Sequence, residues 1–342
     1  MDLFIELLQV SLGSRETLSR VPSSVEWRDL FNEAQRQSVV GVLLDGLERL
    51  PVGQKPPKGL LMQWIAMIHI TEGSYSLLCE RVKELTSIFL KEGYNCCVLK
   101  GVGLAQLYPY PERRQCGDID LWVNGDRKAI LKWLKEQYTV EHVLWHHADV
   151  KMFEDVVTEI HYHAGWMYDP FRNHQLQKWF ESEMDAQMVI DEKLGFAYPT
   201  VRFNAVYALA HLYHHLIEEG VGLRHVADYY YVLRALPADE RVAVMNDLNK
   251  LGMRRLAQGM MWVLADVCGM SAEYLLCEPN AGEGRFLWDE IMRGGNFGRY
   301  RTDNRQRNSA ARLWALLPHY SGEAIWILPW KMWHKCWRLL NS

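Results

Sequence analysis

The feature that most constrains this chain is a change in the spacing of its apolar residues, from helical to strand-like and back again. Over residues 1 to 92, LFIELLQVSL, VEWRDLFNEAQRQSVVGVLLDGLERL and the run from Leu60 to Lys91 place apolar side chains three and four apart, as amphipathic helices require. No strand signal interrupts them. PVGQKPPKG, residues 51 to 59, has enough Pro and Gly to end one helix before the next begins. After Gly93 the spacing shortens. CCVLK reads as a buried strand, GLAQLYP as a short helix and DIDLWV as a second strand, with a helix following from roughly Asp126 to Gln137. HHADVKMFEDVVTEIHYHAGW reads as two more strands joined around Glu154 and Asp155.

Beyond residue 200 the helical spacing returns. VRFNAVYALAHLYHHLIEEG ends at Gly220, LRHVADYYYVLRAL ends before Pro237, and further helices run to the C-terminus. Because strands and helices are segregated rather than alternating, the expected class is α+β. The chain divides into an N-terminal helical region (1–92), a core around a small mixed β-sheet (93–199) and a C-terminal helical domain (200–342).

Composition narrows the functional classes. With 342 residues, 49% of them hydrophobic and 23% charged, the chain can bury a sizeable core and is not a disordered protein. Its 38 basic and 42 acidic side chains give a formal net charge of −4, so no global positive field exists to hold a long nucleic acid. Asp2 and Glu6 stand where a signal peptide would carry basic residues, and no run of 18 apolar residues follows. The expectation is a cytoplasmic protein without a transmembrane segment. Seven cysteines without a C-x-x-C pair suit reduced thiols better than disulfides or a thiolate zinc site.

The sharpest motif is Gly117-Asp118-Ile119-Asp120. Successive strand residues point to opposite faces, so a spacing of two projects both carboxylates to one side. Such anions repel unless a cation lies between them. Mg²⁺ suits the role, because it takes oxygen ligands and is commonly held by one or two carboxylates together with substrate phosphates. Aspartates two apart are also frequent on exposed strand edges, so the pair gains meaning only from its surroundings. Upstream, Lys100-Gly101 stands between a strand and a helix, where an ammonium and free backbone N–H groups can face phosphate. Downstream, VVTEIHYH sets Glu159, His161 and His163 on one strand face and offers Glu159 as a third acid.

At VLKGVGLAQLYP, RRQCGDIDLWV, TEIHYH and HLYHHLIEEGVGLRHVADYY the sequence resembles the nucleotidyltransferase superfamily that includes DNA polymerase β. It is most similar to the bacterial branch described as uncharacterised nucleotidyltransferases. The resemblance spans roughly residues 93 to 235. It implies a metal-dependent transferase that moves a nucleoside monophosphate from a nucleoside triphosphate to an acceptor and releases pyrophosphate. Two Mg²⁺ ions, or Mn²⁺ in their place, would be held by Asp118, Asp120 and Glu159, with Glu159 also the candidate base. The superfamily usually carries Gly-Ser or Gly-Gly at the helix opening, where Lys100-Gly101-Val102-Gly103 stands here. A catalytically silent nucleotide-binding or partner-binding protein on the same fold is the alternative.

Several residues beyond the acids are candidate walls of the site. Arg113 and Arg114 can brace phosphate by bidentate hydrogen bonds or simply lie in a solvated loop, and Arg114 is the nucleotide-binding candidate of the two. Arg224, His225 and Asp228 share a helix face suited to nucleotide or acceptor, with an internal Arg–Asp pair as the plainer reading. His161 and His215 are further acceptor-side candidates. His211, His214 and His215 have helical spacing that invites zinc and a metal-dependent hydrolase. Without an H-E-x-x-H arrangement or cysteine ligands, the reading favours histidines hydrogen-bonded in a polar groove.

Two segments near the C-terminus complete the reading. WILPWKMWHKCWRLL puts Trp326, Trp330, Trp333 and Trp337 on one stripe with basic residues between them. Such a helix can touch a membrane surface peripherally, but packing onto its own protein is the expected arrangement. The basic stretch 295–312 reads as a surface loop.

Overall fold

A computed structural model describes residues 2–302 and 309–341; part of the basic 295–312 stretch lies outside the described residues. At its centre is a five-stranded mixed sheet formed by β1 (Asn95–Leu99), β2 (Ile119–Asn124), β3 (Thr139–Val143), β4 (His147–Lys151) and β5 (Thr158–His161). The spatial order is β1-β2-β5-β4-β3. β2 and β5 run parallel, while the other neighbouring pairs are antiparallel. Helix Arg127–Gln137 and the β3–β4 hairpin fill the connection that a parallel neighbour demands. The α+β expectation holds, and β3 is an addition to it.

Register decides which side chains meet. Asp120 is paired with Glu159 across β2 and β5, and Glu159 with Asp149 across β5 and β4. Two residues along, Trp122 pairs with His161 and His161 with His147. Because cross-strand partners share a face, Asp120, Glu159, His161 and His147 all project from one side of the sheet. The other side carries Leu121, Val123, Ile160, Ala148 and Val150, all buried.

Helix Lys58–Lys91 covers that apolar side. Its Leu78, Val82, Leu85 and Phe89 recur at four, three and four residues and pack with the sheet, as do Ile130 and Leu134 of helix Arg127–Gln137. The N-terminal half of the long helix turns Trp64 and Ile68 into a second core, shared with the N-terminal helices and with the helices beyond residue 200. At about 1.5 Å per residue, 34 residues suffice to join the two cores with one rigid element.

The run expected as one helix from Val25 to Leu50 is two, Ser24–Arg36 and Val40–Arg49, broken where Ser38 takes φ 55°. Gln37 anchors the break: its side chain accepts from Leu223 N at 3.0 Å and donates to Glu33. The C-terminal tryptophan helix, Ile327–Asn341, folds back onto the body. Trp330 stacks on Trp166 with centroids 3.9 Å apart, and Trp333 meets Trp145 edge-on. The seven cysteines are free thiols. Among the described residues no helix is long and apolar enough to cross a membrane.

Candidate active site

The polar side of the sheet faces a cavity of about 400 Å³. Helix Val201–Glu218, the start of helix Leu223–Ala235 and, above them, Trp330 and His334 of the last helix complete its walls. All eleven site residues expected from sequence line it: Lys100, Gly101, Arg114, Asp118, Asp120, Glu159, His161, His215, Arg224, His225 and Asp228.

Three carboxylates converge on its floor. One oxygen from each of Asp118, Asp120 and Glu159 lies within 4.8 Å of the others, close enough for a single cation to reach all three. Asp118, just before β2, is exposed at the rim, Asp120 is buried and Glu159 is intermediate. The charge of the neighbouring Asp120 raises the Asp118 carboxyl above its ordinary value.

Asp120 is compensated from two directions. Lys100 Nζ lies 2.8 Å from its Oδ1, and His161 Nε2 lies 3.0 Å from the same oxygen. Burial opposes ionisation of Asp120, but Lys100 and His161 together outweigh it and hold the carboxyl well below its ordinary range. His161 also reaches Glu159 Oε2 at 3.2 Å. Burial disfavours the imidazolium, yet the two carboxylates overcome this and lift His161 to about 9.

Lys100 reaches Asp120 from an unusual backbone. It sits at φ 52°, ψ −140°, a conformation that costs a non-glycine residue energy, and Gly101 follows at φ 40°. The helix this turn opens, Gly101–Ala105, has only five residues, too short for the N-terminal phosphate site expected from sequence. What remains of that expectation is the lysine and the close backbone approach at Gly101.

Arg113 and Arg114 are not free to brace phosphate. Arg113 pairs with Asp45 and Glu48. Arg114 is buried and makes a fork to Asp228, Nε to Oδ1 at 2.7 Å and Nη2 to Oδ2 at 2.8 Å, while Nη1 donates to the Gly101 carbonyl at 3.1 Å. Tyr108 donates to Asp228 as well, at 2.6 Å. Two opposite charges this deeply buried must be matched, so Asp228 and Arg114 satisfy each other instead of a ligand. The plainer alternative of an internal Arg224–Asp228 pair is corrected: Asp228 pairs with Arg114 instead. Arg224 itself donates to the Gln115 carbonyl at 3.1 Å and lies over the Phe297 ring.

His163 leaves the sheet after β5 and stacks on Trp145, so it does not share the face of Glu159 and His161. Among the cavity residues that sequence reasoning passed over are His146, His147, Tyr207 and His334. His147 was legible in principle, because β4 pairs it with His161; its Nε2 is 3.0 Å from Asp149 Oδ1 and 3.8 Å from Glu159 Oε2.

The family model described as "Uncharacterised nucleotidyltransferase" matches residues 23–269. No curated protein and no solved structure matches the chain. That match takes in well over half of the 342 residues, including all eleven cavity residues named from sequence, and the chain belongs to this uncharacterised nucleotidyltransferase family.

Proposed function

We propose that this protein is a Mg²⁺-dependent enzyme that moves a nucleoside monophosphate from a nucleoside triphosphate to an acceptor nucleophile in the cytoplasm. The observation that carries the reading is the convergence of Asp118, Asp120 and Glu159 on the floor of a cavity large enough for a small ligand. The donor set is all oxygen, which fits Mg²⁺ or Mn²⁺, and a pair of ions can share it. When bound, such ions neutralise charge on the transferring phosphoryl group and favour in-line displacement.

The chain's own residues do the remainder. Lys100, partly buried beside Asp120, faces the triphosphate with a fixed positive charge. Glu159, more open than Asp120, takes the proton of the acceptor hydroxyl as the acceptor oxygen bonds to the α-phosphorus and the bond to the β-phosphate oxygen breaks, releasing pyrophosphate. His161 touches both Asp120 and Glu159 and orients them. His215 and His225, on the opposite wall, face the acceptor, and Arg224 adds positive charge beside them. Incubation with each α-labelled nucleoside triphosphate and Mg²⁺ or Mn²⁺, read as pyrophosphate release and label transfer to extracted small molecules and protein, tests this. Turnover that disappears in Asp118→Asn supports it; binding of no nucleotide under either metal ends it.

A second reading rests on Asp120. Its charge is already met by Lys100 and His161, so a cation must share or displace them. A protein that binds a nucleotide without turning it over would tolerate that arrangement. Calorimetric binding with no pyrophosphate released in any acceptor mixture would favour this alternative.

A further inference from the structure

A second group of converging ligand atoms, chemically unlike the first, lies on the opposite wall of the cavity. His211 and His215 stand one turn apart on helix Val201–Glu218, and His225 reaches them from the next helix. One ring nitrogen from each lies within 4.8 Å of the others. The residue that the H-L-Y-H-H-L spacing lacked thus comes from a different helix, ten positions on.

Three details of the rings bear on what they hold. His211 Nε2 and His215 Nε2 face each other at 3.0 Å, so at most one of them carries a hydrogen toward the other and at least one lone pair points into the gap. Three nitrogens around a tetrahedral ion with bonds of about 2.0–2.1 Å would stand about 3.3 Å apart, close to the 3.0 Å between His211 and His215 Nε2. The Gly222 backbone engages His225 Nδ1, its carbonyl lying 3.3 Å away, which leaves Nε2 as the ring's free nitrogen. Glu219 Oε2 is 3.7 Å from His215 Nδ1, on the side from which a carboxylate orients a metal-bound imidazole.

We propose that His211, His215 and His225 form a transition-metal site, best suited to Zn²⁺, whose open coordination position faces the cavity that the carboxylates share. Three imidazole ligands select zinc, cobalt, nickel or copper over magnesium, whereas the three carboxylates have the opposite preference. Three protein ligands, rather than four, leave room for water or an oxygen of a molecule in the cavity. Arg224 adds positive charge nearby but is turned to the Gln115 carbonyl and the Phe297 ring, and Glu219 offsets it. The site does not depend on nucleotidyl transfer at the carboxylates.

The test uses the full chain with any affinity tag removed and chelator-stripped of metal, titrated with Co²⁺ in excess Mg²⁺. One equivalent of Co²⁺ should develop visible ligand-field absorption of a nitrogen-ligated tetrahedral or five-coordinate ion, and Zn²⁺ should displace it. His211→Gln and His215→Gln should each weaken Co²⁺ binding by more than the about 10–100-fold that follows loss of an outer-shell partner. The Asp118→Asn variant, which keeps the partners of Lys100 and His161, should bind Co²⁺ as the parent does. That arm separates this site from the carboxylate reading, which is judged on pyrophosphate release. A Zn²⁺-dependent rise in melting temperature of the unaltered chain gives a readout that needs no variant. Absence of that rise, a Co²⁺ spectrum unchanged by both histidine variants, or one abolished by the aspartate variant would each overturn the proposal.

Discussion

Lys100 Nζ and Asp120 Oδ1 are 2.8 Å apart, and they join the turn after the first strand to the middle of the sheet. Asp120 is 1% exposed, so its charge cannot be returned to water if the lysine is removed. Breaking a buried pair from one side leaves an uncompensated charge and costs about 3–5 kcal/mol; His161 on the same oxygen places the expected loss for Lys100→Met near the lower end. Urea denaturation measures it. Mg²⁺ should recover more stability in Lys100→Met than in the parent, because a cation at the carboxylates then replaces a charge instead of competing with one. Equal Mg²⁺ effects in the two proteins would contradict the shared role of lysine and metal.

Asp118 differs from Asp120 in environment, and the two should separate on substitution. Asp118 is exposed at the cavity rim, so Asp118→Asn should keep stability within about 0.5 kcal/mol of the parent. Its turnover should nevertheless fall by about 10²–10³ or more, the range seen when a transition-state electrostatic contact is lost. Asp120→Asn should lose activity and stability together, since it also removes the partner of Lys100 and His161. Paired pyrophosphate-release assays and denaturation curves read both effects. An Asp118→Asn protein with full turnover would remove the carboxylate mechanism.

The fork between Arg114 and Asp228 predicts strong non-additivity. Both groups are buried, and Tyr108 adds a third hydrogen bond to the carboxylate. Arg114→Met or Asp228→Leu alone should cost about 3–5 kcal/mol, whereas the double variant should cost much less than the sum because no charge is stranded. Arg114→Lys should fail to rescue, since an ammonium cannot make the parallel pair of bonds. A double-mutant cycle showing additive losses would mean that the two residues act independently.

Much of this arrangement was readable from residue order alone. The alternation in DIDLWV and VVTEIHYH is a local property, and it placed Asp118, Asp120 and Glu159 together once their strands were neighbours. β3 was hidden because three of its five residues are not apolar and all five are exposed or only partly buried, so no buried face marks it in the sequence. The employment of Arg114 was equally hidden: Asp228 lies 114 positions away, and no spacing rule connects them. The same limit applies to His225, which joins His211 and His215 only through the packing of two helices.

Glu323 gives the fold a pH dependence with a definite sign. It is 1% exposed on helix Ser309–Ala324, and its Oε2 accepts from Tyr168 N at 2.6 Å and Asp169 N at 3.4 Å while Oε1 has no partner. Burial is the largest influence and pushes its carboxyl up to about 7 from an ordinary 4.5. Between those values the native chain holds this proton more tightly than the unfolded chain, so stability falls as pH rises. The contribution is complete below about 4.5 and is lost as pH passes about 7, with an upper magnitude of about 3 kcal/mol from a shift of that size. Glu323→Gln keeps the shape of the neutral acid and has no proton to lose, so its stability between pH 5 and 7, roughly the window of the shift, should decline less than the parent's. Chemical denaturation of both proteins across that window gives the comparison, and parallel curves would show that Glu323 is not the titrating group.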